Sequence, residues 1–150
     1  MASTYTQILL HIVFSTKKRK PLITVAMRER LHPYLGGIIR GRRGVTYQIG
    51  GTADHVHILI RWGTEDSLGS LMREVKSESS KWVKQNFPEA SHFGWQTGYS
   101  AFSVSFSQKK KVVDYILNQE THHRRMDFQE ELRKLLKAHE VEFEEKYLWD

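Results

Sequence analysis

The sequence predicts an α+β fold built on a small antiparallel sheet, with helices on one face and candidate functional side chains on the other. Three observations predict it. At 150 residues, of which 39% are hydrophobic, the chain suits one domain with its own core. Segments with the two-residue period of a strand are interspersed with segments that have the 3.6-residue period of a helix. Their order is strand, helix, strand, strand, helix, strand and then further helices.

The first four elements follow from local periods and turn residues. Apolar residues at every second position of 8–14 predict a strand, and apolar residues at helical spacing over 25–39 predict a helix. Two β-branched apolar runs at 45–49 and 56–62 predict two more strands. The Gly-rich segment 50–54 between them is typical of a hairpin turn.

The later elements follow in the same way. An apolar stripe at helical spacing begins near Leu68 and ends before Pro88, and side chains alternate over 99–106 as in a fourth strand. Helices are predicted over 108–125 and 128–143. This order is the split βαβ arrangement of ferredoxin-like and RNA-recognition folds, in which an antiparallel sheet has helices on one face and a free second face.

Composition limits the function classes. The chain has no cysteine, which excludes disulfide frameworks, thiolate zinc sites and thiol nucleophiles and fits a reducing compartment. No apolar run reaches the length of a membrane span, and the N-terminus lacks a secretory signal. We therefore expect a cytoplasmic protein without a membrane partner.

Charge is distributed unevenly along the chain, whose net charge is +6. Residues 1–62 hold 10 Lys/Arg and 2 Asp/Glu, whereas residues 127–150 hold 4 Lys/Arg and 8 Asp/Glu. A basic first half indicates a polyanionic partner, although ordinary solvated surface is an equally good explanation of charge alone. Because no linker or repeat interrupts the chain, we expect one domain over 1–150, with a catalytic core over 1–126 and an acidic helical tail over 127–150.

Two histidines on one strand are the first candidates for a metal site. His55 and His57 are two residues apart, so both side chains leave the same face of the predicted strand. Val56 and Ile58 occupy the opposite face, which suits the helix-packed core. Two imidazoles at this spacing can converge on one cation, but hydrogen-bonded surface histidines are the commoner explanation of such a pair.

A second constellation lies on the predicted helix over 108–125. At about 100° per residue, Gln119 lies about 40° and His122 about 20° from the direction of Tyr115, whereas most of the apolar residues lie on the opposite side. A structural tyrosine would usually join the apolar stripe. A phenol with a pKa of about 10 needs a nearby cation or base to act as a nucleophile, so this spacing alone is weak evidence for catalysis.

The motifs occur together with a third block in a recognisable order. The blocks are HIVFSTKKR at 11–19, DHVHIL at 54–59 and DYILNQ at 114–119, with KSESS at 76–80 between the last two. Together they resemble the single-tyrosine transposases of bacterial insertion sequences, which belong to the superfamily named after its histidine–hydrophobic–histidine (HUH) motif. The acidic tail is similar to that of the related tyrosine transposases encoded beside repetitive extragenic palindromes (REPs).

The resemblance implies a function and residue roles. The protein would be a DNA transposase, an enzyme that cuts and rejoins single-stranded DNA through a 5′-phosphotyrosine at Tyr115. His55 and His57 would bind Mg²⁺ or Mn²⁺, with Gln119 as the third ligand. The substrate would carry hairpins at the element ends. The protein would act in the bacterial cytoplasm at the nucleoid, as a homodimer whose tyrosine helix is able to complete the partner's site.

Further residues are auxiliary or DNA-binding candidates. His11, in the first block, and His122 and His123, outside the minimal motif, are auxiliary candidates. The basic residues expected to bind DNA are Lys17, Lys18, Arg19, Lys20, Arg40, Arg42, Arg43, Lys109, Lys110 and Lys111.

Three alternatives stay open at this point. A domesticated REP-type nuclease would process DNA without moving its own gene. A non-catalytic single-strand-binding module would use the free sheet face to stack and clamp bases, and its binding would not depend on metal or Tyr115. A metal hydrolase would use His55 and His57 with a water nucleophile and leave no protein attached to the cut DNA.

Overall fold

The structure, a computed structural model, describes residues 3–150. Its regular elements follow the predicted order. They are β1 (Leu9–Ser15), α1 (Val25–Gly41), β2 (Val45–Gly51), β3 (His55–Arg61), α2 (Leu68–Asn86), β4 (Ser100–Val104), α3 (Lys109–Leu117), α4 (Gln119–His122) and α5 (Phe128–Ala138). None of the helices within residues 3–150 is long and apolar enough to cross a bilayer.

The four strands form one antiparallel sheet in the order β2-β3-β1-β4. The register defines two ends of the sheet. At one end Ser15 of β1 pairs with His55 of β3, and at the other end Leu9 pairs with Arg61. The Ser15–His55 end is called the histidine end below, and the other is called the distal end.

Helices α1 and α2 cover one face of the sheet and enclose the main core. Ile12, Phe14, Val56, Ile58 and Ile60 are fully buried against them. The side chains of β3 therefore alternate between the two faces of the sheet as predicted. Its even-numbered residues enter this core, and the two histidines face the other side. The predicted α+β fold is confirmed.

The second face of the sheet is covered, and the free face predicted from the sequence is therefore wrong. Ile116 of α3 packs on Leu9 and Leu59, and α5 packs on Val13 and Phe102. Leu9 and Val13 of β1 and Phe102 of β4 are apolar on this face, so burying them stabilises the fold. The candidate site consequently lies in a cleft between the sheet and these helices.

The predicted continuous helix over 108–125 is wrong at Asn118. The main-chain N–H of Asn118 and its side-chain amide both donate to the carbonyl oxygen of Asp114, at 3.1 and 2.8 Å, and α3 ends there. Such a side-chain bond to the backbone competes with helix continuation. Leu117, expected on the buried stripe, is 60% exposed. The last long helix is also shorter than predicted, since α5 ends at Ala138.

Candidate active site

Both histidines of β3 are fully buried and held in defined orientations. Asp54 Oδ1 lies 2.8 Å from His55 Nδ1, which leaves His55 Nε2 directed into the cleft. His11 Nε2 lies 2.8 Å from His57 Nδ1, so the auxiliary candidate His11 orients the second imidazole in the same way. Partners on the far nitrogen of this kind fix the ring and tautomer of a metal-binding histidine.

Gln119 lies beside the histidine pair, where the sequence analysis expected it. Its side chain is 1% exposed, and Oε1 is 2.9 Å from His55 Nε2. The amide nitrogen of Gln119 donates to Glu131 Oε2 at 3.1 Å. The break at Asn118 does not separate Gln119 from the site, because its side chain still contacts His55 and Glu131.

Glu131 stands at the centre of the cluster, although no motif in the sequence predicted it as a site residue. This carboxylate, on α5 in the acidic tail, is 2% exposed. Its Oε1 lies 3.0 Å from His57 Nε2 and 3.0 Å from His123 Nε2, and its Oε2 accepts the hydrogen bond of the Tyr115 hydroxyl. The position of Glu131 around the predicted helix could have indicated that it is not a surface residue. At about 100° per residue Glu131 falls about 60° from Phe128, beside the apolar stripe of α5 rather than on its solvent face.

Four side chains together could hold a metal ion. His55, His57, His123 and Glu131 each present a ligand atom, and these atoms lie within 4.8 Å of one another. Imidazole nitrogen and carboxylate oxygen are common ligands of divalent ions, so the donor set fits the metal that the resemblance implies. His122, the other auxiliary candidate, has its Nε2 3.5 Å from Glu131 Oε2.

Tyr115 reaches the same cluster from α3. Its side chain is half-buried, and its ring centroid lies 5.7 Å from that of His57 and 5.2 Å from that of His122. Beside it runs a groove of about 470 Å³ between α3 and α5, lined by residues including His11, Val112 and Leu135. The hydroxyl therefore lies both at the candidate metal site and beside an open groove.

The buried environment shifts the pKa values of these groups. Burial lowers the pKa of His57 to about 4, although the hydrogen bond and charge of Glu131 oppose the shift. Burial and the charge of Glu131 both raise the pKa of Tyr115 well above its ordinary value. Burial disfavours ionisation of Glu131, but hydrogen bonds from His123 and His57 outweigh it and hold the pKa of that carboxyl well below its usual range. A neutral His57 and an ionised Glu131 are the forms that bind metals.

The basic DNA-binding candidates are not all at one place. The loop 17–20 follows β1 at the histidine end, whereas residues 40–43 precede β2 and residues 109–111 follow β4 at the distal end. Four of the cations have partners within the chain. Arg42 forms ion pairs with Asp66 and Glu74, and Lys110 forms one with Asp114. Lys109 lies over the Tyr47 ring and Arg19 over the Trp149 ring.

Comparisons with known proteins identify a family and two similar solved structures. The model of the IS200-like transposase family matches residues 4–119. A solved structure assigned as a transposase from Deinococcus radiodurans R1 is similar, with a TM-score of 0.64 and 18% identity over 79% of this chain and 95% of that one.

A REP-associated tyrosine transposase bound to a REP hairpin has a TM-score of 0.61 and 15% identity, over 82% of this chain and 73% of that one. At these identities the likeness of the two structures is evidence of the fold. No curated protein matches the sequence.

Proposed function

Because the chain belongs to the IS200-like transposase family and is therefore a DNA transposase, we propose that it cuts and rejoins single-stranded DNA through a covalent bond between Tyr115 and a DNA 5′ phosphate. One observation carries the proposal. The Tyr115 hydroxyl hydrogen-bonds to Glu131, which also contacts His57, so nucleophile and candidate metal site share one carboxylate.

In the proposed reaction the phenol oxygen of Tyr115 attacks the phosphorus, and the bond from phosphorus to the 3′ oxygen breaks. The phenol loses its proton and the departing 3′ oxygen gains one, which leaves a free 3′ hydroxyl. The phosphotyrosine keeps the energy of the broken diester, so a second 3′ hydroxyl can reverse the step without ATP.

We assign His55, His57 and Gln119 to a divalent metal, Mg²⁺ or Mn²⁺, which when bound would stabilise charge on the phosphate oxygens. His11 and Asp54 would keep the two imidazoles in the orientation described above. The groove between α3 and α5 passes Tyr115 and is the proposed path of the strand beside the cut.

The substrate is proposed to be single-stranded DNA with hairpins at the ends of the element, and the protein would meet it in the cytoplasm, at the nucleoid. The basic loop 17–20 is the best-placed of the cationic segments, because it lies at the histidine end. Dimerisation stays a proposal. Tyr115 contacts histidines of its own chain, so a partner is not needed to bring these residues together. We also keep the division into 1–126 and 127–150 as a proposal, with the tail packed on the sheet.

Trapping the covalent adduct tests this function. A labelled single strand of the DNA that flanks the gene, including its palindromes, is incubated with the protein and Mn²⁺. We expect a protein–DNA band that resists denaturation, is absent with Tyr115→Phe and persists with the control Tyr5→Phe, whose ring is 92% exposed. Cut DNA without an adduct would replace the proposal with the hydrolase alternative. Metal-independent binding without cutting would favour the binding module.

A further inference from the structure

The acidic tail is anchored on the sheet and places Glu131 in the site. Phe128, Leu132 and Leu136 of α5 are buried in one cluster with Val13 and Phe102. Burial of these apolar side chains stabilises the position of α5 on the sheet. The packing directs the neighbouring side of α5, with Glu131, toward the histidines.

The distances around Glu131 Oε1 are those between ligands of a single ion. This atom lies 3.0 Å from His57 Nε2, 3.0 Å from His123 Nε2 and 3.5 Å from His55 Nε2. Two donor atoms bound at about 2.1 Å to one ion are roughly 3.0 Å apart at a right angle and about 3.4 Å apart at the tetrahedral angle. One atom from each residue can therefore belong to the same coordination sphere.

The orientations of the neighbouring side chains also favour a shared cation. Asp54 Oδ1 lies 2.8 Å from His55 Nδ1, so His55 Nε2 faces the cleft. Gln119 donates its amide to Glu131 Oε2, so its Oε1 faces the same His55 nitrogen at 2.9 Å. A ring nitrogen, an amide oxygen and the Glu131 carboxylate therefore converge on one region of the cleft, as the ligands of one ion do.

We propose that His123 and Glu131 bind the metal together with His55 and His57, so that the C-terminal helix is part of the metal centre. This inference rests on the proposed function and adds two ligands to the set that the resemblance implies. Three imidazoles and one carboxylate suit a transition ion such as Mn²⁺ better than Mg²⁺, which prefers oxygen ligands and water.

Metal binding without DNA tests the assignment. Calorimetric titration with Mn²⁺ compares the wild type with Glu131→Gln and His123→Gln, both of which keep polar side chains of similar size. Each should raise the Kd at least roughly tenfold. The matched controls Glu130→Gln and His92→Gln change exposed residues and should leave it unaltered. Pulsed electron paramagnetic resonance of bound Mn²⁺ should detect three coordinated imidazoles in the wild type and two in His123→Gln.

Other results would overturn the inference. One is the detection of only two coordinated imidazoles on Mn²⁺ in the wild type. This measurement needs no variant, so it remains decisive even if both substitutions prevent folding. Another is a Glu131→Gln variant that binds Mn²⁺ with an unchanged Kd and cleaves DNA faster. Glu131 would then not be a ligand and would only occupy the position of the DNA phosphate. The two measurements distinguish failure of the proposed function from failure of this inference. A protein that has three imidazoles on Mn²⁺ but forms no DNA adduct would refute only the tyrosine mechanism. A protein that forms the DNA adduct but has two imidazoles on Mn²⁺ would refute only this inference.

Discussion

The hydroxyl of Tyr115 donates a hydrogen bond to the carboxylate of Glu131, which lies 16 residues further along the chain. The acceptor is ionised and buried, so it favours the neutral, protonated phenol. In the structure the phenol of Tyr115 is therefore held in its neutral, protonated form.

This contact predicts the ionisation behaviour of the tyrosines. Burial and the Glu131 charge raise the pKa of Tyr115, so it should lose its proton at a higher pH than an ordinary tyrosine. An alkaline titration followed by ultraviolet absorbance should show a late phase that Tyr115→Phe removes and Glu131→Gln moves to lower pH. Circular dichroism at each pH controls for unfolding. A Glu131→Gln curve that coincides with the wild-type curve would contradict the contact.

The proposed metal ligands should differ in how much cleavage they support. His55→Ala or His57→Ala should abolish strand cleavage but preserve hairpin binding, because these residues would hold the ion at the cut phosphate rather than at the hairpin. Gln119→Ala should cost only on the order of tenfold in rate, since water can replace an oxygen ligand on a hard cation. Cleavage assays and gel-shift assays on the same DNA measure both effects, with His92→Ala as the control. The assignment is wrong if the wild type still cleaves after complete chelation.

Exposed lysines at the histidine end and the ion-paired Arg42 should respond differently to substitution. Lys17 and Lys20 are exposed at the histidine end, so changing both to Gln should weaken single-strand binding. The log–log salt slope should become shallower by about 0.7 for each phosphate that these lysines no longer neutralise. Arg42→Gln should instead lower the free energy of unfolding by about 1 kcal/mol, because Arg42 pairs with Asp66 and Glu74. Binding titrations at several salt concentrations and urea unfolding separate the two. An equal weakening of DNA binding in both variants would refute the distinction.

His32, outside the site, should contribute to acid sensitivity. Burial, and then the charge of Arg28, lower the pKa of His32 from 6.5 to about 4. The unfolded chain takes up this proton at the higher pH. The contribution of His32 to stability is therefore complete above about pH 6.5 and is lost as the pH falls toward about 4.

Replacing this histidine with a residue that does not titrate should reduce the acid effect. Between about pH 7 and about pH 4.5, His32→Leu should lose less free energy of unfolding than the wild type, by on the order of 2 kcal/mol. Urea unfolding at the two pH values measures the difference. The control His92→Leu, at an exposed position, should lose as much free energy of unfolding as the wild type. If His32→Leu also loses as much as the wild type, His32 is not the cause of the acid sensitivity.

Local pattern was enough to predict the order of the elements and the side of β3 on which the histidines lie. A strand exposes alternate residues to opposite faces, so the spacing of His55 and His57 determines that they share a face wherever the strand is placed. Tyr115 and Gln119 were found by their spacing and by resemblance to a family. The end of α3 at Asn118 was missed, because it depends on a side-chain bond to the backbone that periodicity does not detect.

By itself, then, the sequence determined the strand and helix order, the shared face of the two histidines and the tyrosine–glutamine spacing, since each depends on residues close together in the chain. Only the tertiary structure decided that Glu131 joins the histidines and that the basic segments lie at two ends of the sheet. The first depends on α5 packing its apolar stripe against Val13 and Phe102, and the second depends on the antiparallel strand register. Both are relations between distant parts of the chain, set by burial of apolar surface rather than by local spacing.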